Sequence, residues 1–285
     1  MEKHNHWDLV IKGKTSLFDL KLKDVWAYRD LLMLFVKRDF VSFYKQTVLG
    51  PLWFFIQPLF TTLVFTFVFG NLAKISTDGI PQQLFYLCGI TAWNYFSDCV
   101  TKTSTVFRDN ANIFGKVYFP RLIMPLSIVV SNLVRFGVQL LLLFGMMSYY
   151  YFNPVAHASF HITPAIVYFP FLILLMALLG LGIGLIITAI TTKYKDLTFL
   201  ITFGVQLIMY GTTVIYPLSS IDTQYKKYIE LNPMTSIIEV FRYAFLGKGE
   251  FTVYSISYTV LFTLVVLSLG VVIFNKTEKN FVDTI

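Results

Sequence analysis

Asp98, Lys102 and Arg135 carry charge inside long apolar stretches of this sequence. An unpaired ion at the centre of a membrane helix costs at least about 2.5–3.5 kcal/mol on insertion scales. Arg135 therefore needs a counter-charge or a wet lumen, and Asp98 on the adjacent apolar stretch is the obvious candidate. Two chemistries are open to such a set, ion relay and a structural pair. Ion-coupled carriers and proton pumps usually hold acids or histidines within their spans, and so few occur here that the structural pair Asp98–Arg135 is the expectation.

Other reactive side chains offer less. His157 and His161 have the i, i+4 spacing of a helical metal site but no cysteine or acid beside them, so no metal is expected. Cys88 and Cys99 share one apolar stretch and stand about 16 Å apart along a helix, too far for a disulfide within it. No G-x-x-x-x-G-K-[ST] loop is present, so this chain is not expected to hydrolyse ATP by that machinery. No Ser-His-Asp set can be read. "GLGIG" at Gly180–Gly184 lacks the strand–turn–helix context of a dinucleotide site, and its glycines suit close helix packing instead.

The elements that must position these residues are membrane helices. Of the 285 residues, 56% are hydrophobic and only 14% charged, against about 25% charged in a soluble domain. A spanning helix needs about 20 mostly apolar residues. Six stretches qualify: Leu52–Leu72, Leu84–Phe107, Leu122–Phe152, Ile162–Thr192, Leu197–Tyr216 and Val253–Phe274. The second is the weakest, because it ends in the polar "SDCVTKTSTVF". Lys and Arg are concentrated before the first stretch, between the second and third, between the fourth and fifth, and after the sixth. That bias places both termini in the cytoplasm. About fifty mixed residues precede the first stretch, which does not read as a secretory leader. The net charge of +7 is thus assigned to membrane topology, and no nucleic-acid partner is expected.

The chain divides accordingly into a cytoplasmic N-terminal segment (1–50), an all-α six-span membrane domain (51–275) and a cytoplasmic tail (276–285). Within the first segment, Leu32, Met33, Val36, Phe40, Phe43 and Tyr44 fall on one helical stripe, opposite Arg38, Ser42, Lys45 and Gln46. Leu31, Leu34 and Phe35 break the pattern. The run reads as an amphipathic helix in the cytoplasmic headgroup layer, broken at Gly50-Pro51, with Trp53 as an interface anchor. It serves either as a simple anchor or as a lever joined to the first span. Between the fifth and sixth stretches, "MTSIIEVFRYAFLG" is too short to span. It either rests on the membrane surface or dips in and returns, ending at Gly247 or Gly249.

Aromatic residues are abundant: 29 Phe, 17 Tyr and 4 Trp. Trp53, Phe60, Tyr86, Trp93, Tyr95, Phe203 and Tyr210 occur along the apolar stretches, where the Tyr and Trp polar tips need partners. A conduit for sugar would supply them, with rings stacking on sugar faces and hydroxyls bonding hydroxyls.

Several local patterns in collinear order carry a resemblance. "RDFVSFYKQTVLGPLWFFIQPL", "NIFGKVYFPRLIMPLS", "YKDL", "VIYPLSSI", "LNPMTSIIEVFRYAFLG" and "EKNFVDTI" together resemble the ABC-2 type permeases that export polysaccharides, from about Asp24 onward. O-antigen exporters look nearest, with teichoic-acid exporters next. The resemblance implies a homodimer in the bacterial inner membrane around a central conduit, moving a lipid-linked glycan. Two separate ATP-binding subunits would hold the ATP and Mg, and no cofactor would bind this chain. It implies coupling contacts at Arg38, Asp39 and Lys45 of the N-terminal helix and at Phe114, Gly115, Lys116 and Tyr118 of the first cytoplasmic loop. Glu239 and Arg242 would lie on an external re-entrant segment. Alternatives are a permease for a small lipid or drug, and a membrane-embedded glycan or lipid transferase, which would need clustered acids or histidines at one membrane face.

Overall fold

The computed structural model describes residues 22–45, 47–114, 116–117, 119–153 and 160–282. The N-terminal cations before residue 22, His157, Gly115 and Tyr118 lie outside that range. Among the described residues all regular structure is helical. The elements are α1 (Leu22–Ala27), α2 (Arg29–Lys45), α3 (Trp53–Phe65, running on as a wider-wound turn through Thr66–Leu72) and α4 (Gln82–Ser104). Two single turns, α5 (Val106–Asp109) and α6 (Ala111–Phe114), lead to α7 (Ile123–Phe152). There follow α8 (Phe169–Lys193), α9 (Leu197–Tyr210), α10 (Thr223–Glu230), α11 (Pro233–Leu246) and α12 (Val253–Val282).

Among the described residues, four helical segments are long and apolar enough to cross a membrane: Gly50–Leu72, Ile123–Phe152, Pro164–Lys193 and Val253–Thr277. The other two apolar stretches depart from that type for different reasons. α4 has the length but carries Asn94, Asp98 and Lys102. It is the central helix, packed by α3, α7, α8, α9 and α11, and Leu84 through Trp93 are buried without a break. Facing protein on nearly every side, it needs no uniformly oily surface. α9 stops at Tyr210, where Gly211 takes over as cap; its 14 residues cover about 21 Å, short of the roughly 30 Å hydrocarbon core. Thr212–Tyr216 continue as a non-helical turn, buried through Ile215, into Pro217, which disfavours helix in the residue before it.

The "GLGIG" run packs α8 tightly on both sides. A Cβ at Gly180 would stand 2.7 Å from Cys99 Cβ and one at Gly184 2.6 Å from Thr103 Cβ, both on α4. On the other side, a Cβ at Gly182 would stand 2.9 Å from Leu267 Cα on α12, and one at Gly270 2.5 Å from the Gly182 carbonyl oxygen. Thr188 Oγ1 donates to the Thr103 carbonyl at 2.8 Å and Thr191 Oγ1 to that of Ser104, so polar side chains complete a seam of small residues. Gly182→Leu is expected to force α8 and α12 apart and to cost about 1–3 kcal/mol or more, read as a lower melting temperature in detergent. A wild-type melting temperature would contradict this packing account.

α11 is buried on nearly all of its surface against α4, α8 and α12. The segment is thus packed into the helical bundle along its length. Asn232 caps its start, with Oδ1 accepting from Met234 N at 3.0 Å, and Pro233 occupies the first turn. Gly247, at φ +74°, closes its end in the left-handed region. The ring of His161 lies over this cap, where any Cβ on Gly247 would meet it at 2.7 Å, so His161 is a packing residue here. Among the described residues no group of metal-ligating side chains is present, and Cys88 and Cys99 are buried free thiols.

Candidate functional site

Three clusters of the anticipated functional residues have definite geometry, and the first begins at the α2–α3 elbow. Gly50 is buried, with φ +50°, a conformation that carries a steric cost for residues with a Cβ. Pro51 follows in a short 3-10 turn, Gly50–Leu52, which opens directly into α3. A tight turn thus separates α2 from α3. α2 packs on α7; Leu31 and Leu32 are half-buried, and Phe35 and Val36 are buried. Phe35, which breaks the expected stripe, therefore belongs to the packed face. Met33 and Leu34 are exposed on the other flank. The helix is apolar on two sides, which is why its amphipathicity looks only moderate in sequence.

α2 and the turn region after α4 form one unit. Phe35 meets Phe119 at 5.7 Å between ring centroids, Phe119 stacks on Phe114 at 5.7 Å, and Phe114 meets Phe107 at 5.4 Å. Phe107 stacks on Phe274 of α12 at 4.9 Å. Arg38 ties the polar side. Its guanidinium donates to Asp39 at 2.7 Å and to Asn110 Oδ1 at 3.3 Å, and it covers the Phe35 ring at 4.9 Å. Arg121 covers Phe114 at 5.6 Å. Lys45 and Lys116 are exposed. The structure therefore brings Arg38, Asp39 and Phe114 together and leaves Lys45 and Lys116 on the surface. It adds Asn110, Phe107 and Phe119, whose aromatic and amide side chains gave no distinct signal in sequence.

The second cluster is the charge set of Asp98, Lys102 and Arg135. Arg135 Nη1 lies 3.3 Å from Asp98 Oδ2, and Lys102 Nζ lies 3.7 Å from the same oxygen. Lys102 also donates to Asn132 Oδ1 at 2.8 Å, and Arg135 covers the Phe54 ring at 4.8 Å. The expected pair is thus a triad of two cations on one carboxylate. The i, i+4 spacing of Asp98 and Lys102 is the sequence signal that could have added the third member.

The third cluster joins Glu239 and Arg242, each 1% exposed and 2.9 Å apart. Arg242 also donates to the carbonyl of Thr213 and lies 3.8 Å over the Phe85 ring. Glu239 Oε2 accepts from Glu250 N at 2.9 Å. The Thr213 contact answers a backbone need: the turn after α9 has left its helix, and irregular backbone at such depth must be satisfied by protein or a wet cavity.

The aromatic residues suggested for a conduit are not gathered in a single chain. Tyr86, Trp93 and Tyr95 of α4 are buried, whereas Trp53 and Phe60 of α3 and Phe203 and Tyr210 of α9 are exposed. Trp93 borders an apolar cavity of about 590 Å³ that α9 covers with Leu200, Val205 and Ile208. The Tyr86 hydroxyl is buried with no hydrogen-bond partner among the described residues.

These arrangements can be set beside known proteins. Residues 30–246 match the model of the family described as ABC-2 type transporter. The O-antigen export system permease protein RfbA of Klebsiella pneumoniae is 27% identical over 267 residues, 93% of this chain and 98% of that protein. The protein of the same name from Myxococcus xanthus is 28% identical over 226 residues, 79% of this chain and 83% of that protein. The polysialic acid transport protein KpsM of Escherichia coli is 25% identical over 237 residues, 81% of this chain and 87% of that protein. With helices as the regular structure of its described residues, four of them long and apolar, and a family match across most of its length, this chain belongs to the ABC-2 type transporter family.

Proposed function

We propose that this chain is the permease half of an ATP-driven exporter that moves a lipid-linked polysaccharide of the O-antigen kind across the bacterial cytoplasmic membrane. The observation that carries this reading is the near full-length similarity to O-antigen export permeases. The cluster that joins α2 to Asn110, Phe114 and Phe119 supports it mechanically. An ATP-binding subunit pressing on Lys45 and Lys116 would move a unit already packed on α7 and α12. In this reading α3, α4, α7, α8, α9 and α12 are six spans, with α9 reaching full depth through Thr212–Tyr216, and both termini are cytoplasmic. α2 lies in the cytoplasmic headgroup layer, and α10 and α11 form the external re-entrant segment.

Two copies pair around the conduit. The exposed rings of Phe60, Phe203 and Tyr210 are the aromatic surface available for sugar stacking or for the second copy. The chain is a transport subunit and not an enzyme; ATP and Mg are held by two separate ATP-binding subunits. Affinity purification in mild detergent is expected to recover a stoichiometric ATP-binding subunit, whose ATPase rate rises when lipid-linked glycan is added. Vesicles holding this chain alone that export glycan would overturn the reading.

A further inference from the structure

α9 stands off the bundle. Between it and α4, α8 and α12 lies the apolar cavity of about 590 Å³ that Trp93 borders. On α9 the lining runs from Leu200 to Ile208, about 12 Å along the axis at 1.5 Å per residue. Midway, a Cβ added to Gly204 would meet nothing within 4 Å. Leu200 and Ile208 line the cavity and are also exposed, so the gap reaches the outer surface beside α9.

Both ends of α9 are held, which keeps the gap from closing. In its first turn, Thr198 Oγ1 accepts from Arg108 Nη1 at 3.1 Å, and only residues 194–196 link it back to α8. Past its other end, the Thr213 carbonyl accepts from the buried Arg242. A packed interior has few voids larger than a water molecule, so a gap of this size calls for an occupant.

Water does not suit it. The cavity has room for about twenty waters by volume, but each would need two to four polar partners. The lining carries no charge, and its polar side-chain groups are the Trp93 indole and the Asn232 amide. The oxygen of that amide already accepts from Met234 N. A helix from a second copy does not suit it either, since a cylinder about 10 Å across needs about 900 Å³ over the same 12 Å. A hydrocarbon chain needs no polar partner and is narrower than a helix. With α9 a span, as proposed above, such chains run beside it through the hydrocarbon core.

We propose that this cavity holds an acyl chain of a bulk membrane phospholipid, lying between α9 and the bundle in place of protein side chains. The inference rests on the reading of α9 as a span. It requires neither the ATP-binding subunit nor glycan, so it is tested apart from export.

The reporter is Trp93, whose ring borders the cavity and is only 3% exposed. In the full chain, Trp7, Trp26 and Trp53 are changed to Phe. The protein is reconstituted in vesicles of dioleoyl phosphatidylcholine or of its chain-brominated counterpart, whose bromines quench indole at short range. Trp93 is expected to lose fluorescence in the brominated vesicles. Gly204→Leu fills the cavity with a side chain and should remove that quenching. Its melting temperature should equal or exceed that of the parent, since Leu is the stronger helix former, an outcome that misfolding would not produce. Leu264→Trp, in a chain that also carries Trp93→Phe, reports an exposed site on α12 and should be quenched equally with Gly or Leu at residue 204. Unquenched Trp93 beside a quenched Leu264→Trp overturns the site and leaves the transport reading intact; an empty cavity, or α9 moved inward, gives that result. Quenching of Trp93 that is unchanged in Gly204→Leu comes from the surrounding lipid and overturns the site as well.

Discussion

Arg242→Ala is expected to destabilise the protein by about 3–5 kcal/mol, the range for breaking a buried ion pair from one side. The change would strand the Glu239 carboxylate at 1% exposure and remove the donor that satisfies the Thr213 carbonyl. It would also empty the space over the Phe85 ring. Glu239→Ala should be of similar size, since it leaves the guanidinium without its counter-charge and Glu250 N without its acceptor. The double variant Arg242→Met with Glu239→Gln removes both charges and keeps a carbonyl oxygen near Glu250 N. It should melt well above either alanine variant. A thermal-melting cycle in detergent checks all three; additive losses, with the double variant the least stable, would show that the pair is not coupled. Export should follow the same order, because the pair anchors α11 to the broken end of α9.

Loosening the α2–α3 elbow is expected to abolish export while leaving the ATP-binding subunit attached. Deleting Gly50 and Pro51 and inserting a flexible Gly-Ser linker keeps Arg38, Phe114 and the exposed Lys45 and Lys116 intact. It removes the left-handed Gly50 and the fixed turn that opens α3. A displacement of α2 would then be absorbed by the linker, whose ends are free to move independently. Gly50→Ala offers a graded version, since a Cβ in the left-handed region costs roughly 1–2 kcal/mol. Pull-down of the ATP-binding subunit and glycan export are measured side by side. Export at the wild-type rate from the linker variant would mean that α2 only anchors the chain.

What sequence could and could not convey differs by element. α7, α8 and α12 are long and apolar, so their runs mark them directly. α4 is harder because it is enclosed by its neighbours and needs no uniformly oily surface; the half-buried Asp98 and Lys102 in its second half make the run look too polar to span. The end of α9 is hard for the opposite reason: "GTTVIY" is apolar enough to extend a span, but Gly211, paired threonines and Pro217 turn it out of helix. The Asp98–Arg135 contact can be reasoned from the cost of an isolated charge. The role of Phe35 cannot be reasoned from one stripe on a helical wheel, because α2 has two partners and the wheel assumes one. The Glu239–Arg242 pair has a legible i, i+3 spacing, whereas its link to Thr213 joins segments 29 residues apart.

The double apolar character of α2 restricts the directions in which it can be driven. Lifting it away from the bundle would wet Phe35 and Val36; with α2 in the headgroup layer as proposed above, lifting it out of the lipid would wet Met33 and Leu34, each at about 1.5–3 kcal/mol for a fully buried side chain of this kind. Gliding along its own axis exposes neither set. A thrust across the axis would be resisted, and one along it transmitted, so a helix oily on both flanks acts as a rail that converts any push into lengthwise travel.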